Sequence, residues 1–69
     1  MKYIHAGLAT TLVDLAHQSK HDIFLHRGRI TVDAKSILGV MSLVYFDGVS
    51  VETEDHEIAH AIRELFNDL

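Results

Sequence analysis

Sixty-nine residues suffice for one domain, and a chain of this length buries only about 60% of the surface it exposes when unfolded, which leaves little material for the walls of a catalytic cleft. The absence of cysteine excludes a disulfide framework or thiolate metal site and makes the cytoplasm the expected compartment. A net charge of −4, with acids gathered between Asp47 and Asp68, excludes the basic footprint of a nucleic-acid binder. No stretch approaches the roughly 18 to 20 apolar residues of a membrane span, and Met1-Lys2-Tyr3-Ile4-His5 lacks the apolar run of a signal peptide. A docking module, or the substrate of another enzyme, is expected in preference to a stand-alone catalyst.

Leu8, Leu12, Leu15 and Ala16 recur at helical spacing with Asp14 and Gln18 on the other side, which predicts an amphipathic helix over residues 7–19. Lys20-His21-Asp22 ends it. The β-prone runs Ile23-Phe24-Leu25 and Ile30-Thr31-Val32 flank Arg27-Gly28-Arg29, where glycine's tolerance of positive φ suits a tight reversal, so an antiparallel hairpin follows. Residues 35–43 carry Ile37, Leu38, Val40, Met41 and Leu43, too many apolar side chains for a one-sided helix this short, with Ser36 at its start. Part of that helix must stay exposed.

Further on, Val49-Ser50-Val51-Glu52-Thr53 alternates as a half-buried strand does, and Ile58, Ile62, Leu65, Phe66 and Leu69 mark the inward stripe of a closing helix. Asp47-Gly48 between apolar runs is a hairpin signal, so residues 44–48 form either a loop or an extra strand. Without repeats, low-complexity segments, prolines or linkers, residues 1–69 read as one domain.

The order helix, strand, strand, short helix, strand, helix, taken with Lys35-Ser36-Ile37-Leu38-Gly39-Val40-Met41-Ser42-Leu43, resembles HPr, the phosphocarrier of the bacterial sugar phosphotransferase system. That run is similar, almost letter for letter, to the family's regulatory-serine motif in the form found in Gram-positive bacteria of low GC content. There a dedicated kinase phosphorylates the serine, and the resemblance gives that role to Ser36. Reading back without a gap, His5-Ala6 falls where the family keeps its phospho-acceptor histidine. Ala9, Leu12-Val13, Ala16, Asp22, Leu25 and Val32 also fall on positions that commonly match.

The resemblance implies an α+β open-faced sandwich, an antiparallel sheet covered on one face by helices, with family strand order 1-4-2-3. It also implies that Ile37, Leu38 and Met41 form an apolar docking patch. Such a patch would be presented to enzyme I, to HPr kinase/phosphorylase, and to a sugar permease component or transcription regulator. No cofactor, direct nucleic-acid contact or membrane insertion is implied.

The chain departs from the family pattern in informative places. Family members follow the histidine with Ala-Arg-Pro, whereas this chain has Ala6-Gly7-Leu8. Both the guanidinium that stabilises a phosphoryl group and the proline that fixes the helix start are absent, which should weaken His5 as an acceptor. Four residues precede His5 where the family has a whole strand, so the first edge strand is short or missing. The strand at residues 49–53 then becomes an open edge that favours a homodimer. In an alternative register, residues 1–4 are a remnant of that strand and His5 is accidental. The segment around residues 53–55 is also shorter than in the family.

Each signal has a plainer counterpart. Ser36 is a helix cap by residue type alone, Ile37, Leu38 and Met41 have core spacing, and His5 reads as a plain exposed residue ahead of a phospho-acceptor. His17 and His21, four apart near a helix end, have the spacing of a metal grip but more often are solvated. His56-Glu57-Ile58-Ala59-His60 spells the zinc-hydrolase pattern, yet a third ligand and a cleft are wanting, so a metal-binding domain using His56, Glu57 and His60 is the remote alternative. The leading expectation is a regulatory docking protein switched at Ser36, with a phosphocarrier acting through His5 as runner-up.

Overall fold

The computed structural model describes residues 3–67. Its elements are α1 (Ala6–His17), β1 (Ile23–Arg27), β2 (Ile30–Asp33), α2 (Ile37–Met41), β3 (Ser50–Thr53) and α3 (His56–Asn67), the order expected from the sequence. Residues 1 and 2, half of the supposed strand remnant, and Leu69, the last residue of the predicted α3 stripe, lie outside the described residues.

Among the described residues the sheet is antiparallel with order β2-β1-β3, which corresponds to the 4-2-3 part of the family order. Gly28, at φ 58°, closes the β1–β2 hairpin. Leu25 lies opposite Val32 on one side and Val51 on the other, so these three form the inward row that the helices cover. His26 faces outward, and its Nδ1 lies 2.8 Å from Thr31 Oγ1 while its Nε2 meets Glu52, tying all three strands on the open face.

Ala9, Leu12, Val13 and Ala16 are the deepest residues of α1. The predicted stripe is thus rotated toward Ala9 and Val13, with Leu8 and Leu15 at its flanks. The reason is packing: α1 touches both α2 and α3, so it buries a broad face on which alanines permit close approach. Ile4, Ile23, Leu25, Val40, Leu43 and Ile62 complete the core. Residues 44–48 resolve as a loop with isolated bridges, Ile4 to Val44 and Tyr3 to Asp47, and no hairpin forms there. Among the described residues β3 is bonded along one edge only, and no helix is long and apolar enough to cross a membrane.

Candidate functional site

Ser36 stands between the end of β2 and α2, in extended conformation (φ −100°, ψ 114°). The turn before it is over-determined. Asp33 accepts the Lys35 N–H through Oδ1 (2.8 Å) and the Ser36 N–H through its carbonyl (3.0 Å). The Lys35 ammonium donates to the Ser19 carbonyl at 3.0 Å, and His17 Nε2 lies 3.0 Å from the Lys35 carbonyl, which fixes that nitrogen as the donor. Two bonds from the end of α1 therefore hold the residue preceding the serine.

The Ser36 hydroxyl oxygen accepts the Gly39 N–H at 3.2 Å, a helix cap. A Cβ at Gly39 would sit 3.2 Å from Val32 Cβ and 3.4 Å from the Asp33 carbonyl, so glycine lets α2 lie close against the end of β2. Five residues form α2, and only Val40 turns fully inward, with Leu43 just beyond it. Ile37, Leu38 and Met41 are exposed, Leu38 by 82%, as the excess of apolar residues required. The chain leaving α2 adds exposed Tyr45 and Phe46, which sequence reasoning missed. Arg27 stacks 4.5 Å from the Phe46 ring centre and donates through Nε to the Asp47 carbonyl (2.9 Å), holding that loop to β1.

His5 occupies the position before the first turn of α1 without making a side-chain cap, and no acid lies in that turn. Its ring packs against Tyr3 (5.0 Å between centres) and Tyr45 (5.6 Å), which also touch each other. Tyr45 adopts φ 67°, a left-handed conformation that a tyrosine rarely takes, and its N–H donates to the Ile4 carbonyl at 2.9 Å. Tyr3 and Ile4 meet this loop in preference to β3.

His21 and His60 are engaged separately. His21 lies 3.8 Å from Glu54 and His60 lies 3.5 Å from Glu64, so neither the His17–His21 pair nor the His56-Glu57-x-x-His60 pattern is assembled into a centre. Among the described residues no group of three His, Asp or Glu side chains is arranged to hold a metal ion. A recess of about 510 Å³ at the end of the sheet where β1 begins and β3 finishes is lined by Lys20, His21, Asp22, Phe24, Glu52, Thr53 and Glu54. It includes neither Ser36 nor His5.

A second polar knot also escaped the sequence reading. Ser19, 7% exposed, donates to Asp55 Oδ2 at 2.6 Å and accepts the His21 N–H at 3.1 Å. Asp55 caps α3 by accepting the Ile58 N–H through Oδ1 at 3.1 Å. The Ser19 hydroxyl, followed by the Ile58 amide, holds the Asp55 carboxyl below the usual carboxylate range.

Two solved structures share this architecture. Crh, the catabolite repression protein of Bacillus subtilis, is 27% identical, with a TM-score of 0.79 over 99% of this chain and 85% of its own; that protein forms an intertwined, domain-swapped dimer. HPr from Thermoanaerobacter tengcongensis is 30% identical, with a TM-score of 0.75 over 97% of this chain and 81% of its own. The family model for the phosphorylation site of the HPr component of the phosphotransferase system matches residues 2–68. With its helices on one face of a β2-β1-β3 sheet, this chain belongs to the HPr family of phosphotransferase-system proteins.

Proposed function

We propose that this family member acts mainly as a regulatory docking protein, switched by phosphorylation of Ser36 and read through Ile37, Leu38 and Met41. The observation that carries the reading is the juxtaposition of an exposed hydroxyl, on a turn fixed from three sides, with a short helix that leaves those three apolar side chains in solvent. An HPr kinase would form a P–O bond at Ser36 Oγ, break the β–γ bond of ATP and take away the hydroxyl proton. The product places a dianion beside an apolar contact surface, which changes partner choice without rebuilding the fold. Enzyme I, the kinase/phosphorylase, and a sugar permease component or transcription regulator are the partners the family offers.

The second reading, phosphoryl transfer through His5, draws on its place at the start of α1 and on the exposed helix amides there. Its neighbours are phenols in place of a guanidinium, so charge stabilisation at His5 is weak. Two incubations separate the readings. Kinase with ATP should give one acid-stable phosphate on Ser36, whereas enzyme I with phosphoenolpyruvate should label His5 slowly. Acid-labile phosphate on His5 at the rate of an authentic HPr, with Ser36 unmodified, would overturn the preference. We also propose that the outer edge of β3 pairs with a second copy; a monomeric sedimentation profile at high concentration would refute this.

A further inference from the structure

We propose that His17 is the counter-charge of the Ser36 switch, pairing with a phosphate on that serine when the imidazole is protonated and so making the modified state sensitive to pH. The inference rests on Ser36 as the modified residue. Its ground is the hydrogen bond from His17 Nε2 to the Lys35 carbonyl, 3.0 Å long, which holds the imidazole one peptide unit from Ser36. Little more than that peptide unit and the serine side chain separates the imidazole from a phosphate on Oγ, a span comparable with a Debye length of about 8 Å, so physiological salt leaves part of their attraction in place.

The rival cation is Lys35, and it is already committed: its ammonium donates to the Ser19 carbonyl at 3.0 Å. His17 differs from His21, His26 and His60, each of which lies against a glutamate. Its hydrogen-bond partner is a neutral carbonyl and not a carboxylate. On α1 the charged groups nearest in helical spacing are Asp14 on the preceding turn and Lys20 and His21 beyond the end, the last lying 3.8 Å from Glu54. The turn before α2 contributes Asp33, whose carboxylate holds the Lys35 N–H, and Lys35 itself. From the start of α3 comes Asp55, bonded to Ser19. His17 also stands in the last turn of α1, where the aligned carbonyls favour a cation.

The test uses full-length protein with phosphoserine introduced at position 36 by chemical ligation, so it does not depend on any kinase. The ionisation of the phosphate from monoanion to dianion is followed by ³¹P NMR against pH. In the natural sequence the ionisation constant should exceed that of His17→Gln by about two- to fivefold, the size of an exposed ion pair. Glutamine keeps a donor for the Lys35 carbonyl without the charge, so a purely structural role leaves the constant unmoved. His17→Lys should restore the effect, and 1 M salt should erase it. Equal constants in the natural protein and His17→Gln overturn the proposal, as does a shift that appears only in Lys35→Gln. Failure of the kinase to modify Ser36 would instead count against the switch reading and leave the titration standing.

Discussion

Ser36 and His5 both stand immediately before the first turn of a helix, but the chain builds around them differently. Ser36 spends its oxygen on its own helix, accepting the Gly39 amide, and the preceding turn is pinned by Asp33, Ser19 and His17. His5 makes no such cap and is held by ring packing between Tyr3 and Tyr45. A hydroxyl fixed by backbone geometry needs only an enzyme able to reach it. A phospho-acceptor histidine needs positive charge delivered to the developing phosphoryl group, and neutral phenols deliver none. On the proposed reading, the contrast separates a residue suited to being modified from one poorly equipped to carry phosphate onward.

The largest effect that would break this contrast is all-or-none. Ser36→Ala should abolish phosphate incorporation from ATP by the kinase, read by intact mass, while His5→Ala leaves it unchanged. The same Ser36→Ala should cost about 1 kcal/mol in denaturant unfolding because the α2 cap is lost. Incorporation persisting in Ser36→Ala would move the switch elsewhere.

Next in size is the division of α2 into an exposed side, proposed to meet partners, and a core side. Leu38, 82% exposed, gives Leu38→Asp an expected tenfold or greater loss of partner affinity, of order ~1.4 kcal/mol, with folding stability unchanged within about 0.5 kcal/mol. Val40 is fully buried, and Val40→Ala should reverse the pattern, losing about 2 kcal/mol of stability through the cavity it leaves. Calorimetric binding to the kinase alongside urea unfolding distinguishes them. Equal behaviour of the two variants would erase the distinction between patch and core.

A smaller effect concerns the knot that fastens the Ser36 turn to the rest of the molecule. Ser19→Ala removes the donor to Asp55, and about 1 kcal/mol should be lost from this buried hydroxyl. The sign with pH follows from the direction of the Asp55 shift. Its carboxyl pKa is lowered in the folded protein, so its contribution is full above the unfolded value of about 4 and disappears as pH falls through the folded value. Thermal unfolding from pH 6 down to pH 2.5 should therefore show a shallower acid decline in Ser19→Ala than in the natural protein. A parallel decline in both would disconnect Ser19 from the carboxyl.

Much of this architecture is legible from local pattern. Gly28 between two β-prone runs gives the hairpin, and the surplus of apolar residues after Ser36 gives an exposed helical face, because both depend on neighbours in sequence. The His17 bond to Lys35 spans 18 positions and the Ser19 bond to Asp55 spans 36. Neither leaves a periodic trace, since each exists only once α1 has docked against the sheet and the other helices. The rotation of the α1 stripe has the same origin: leucine spacing marks a helix, but two neighbouring helices decide which side is deepest. Tyr45 leaves no trace at all, because nothing in Val44-Tyr45-Phe46 signals a left-handed tyrosine.

Tyr45 offers the smallest and most discriminating change. Its φ of 67° carries a strain of about 1 kcal/mol, while glycine at the same place relieves that strain but gives the unfolded chain additional freedom worth roughly 0.4 to 1 kcal/mol. The residue is 60% exposed, so little burial is lost with its ring. These contributions nearly cancel, and Tyr45→Gly should unfold within about 0.5 kcal/mol of the natural protein. The His5 ring should nevertheless lose the ring-current shift imposed from 5.6 Å by Tyr45, visible in its proton NMR spectrum. If stability holds while His5 labelling by enzyme I also holds, the tyrosine only packs. If labelling falls with stability intact, the strained residue positions the imidazole, and the His5 region retains more of a carrier's geometry than its missing arginine suggests.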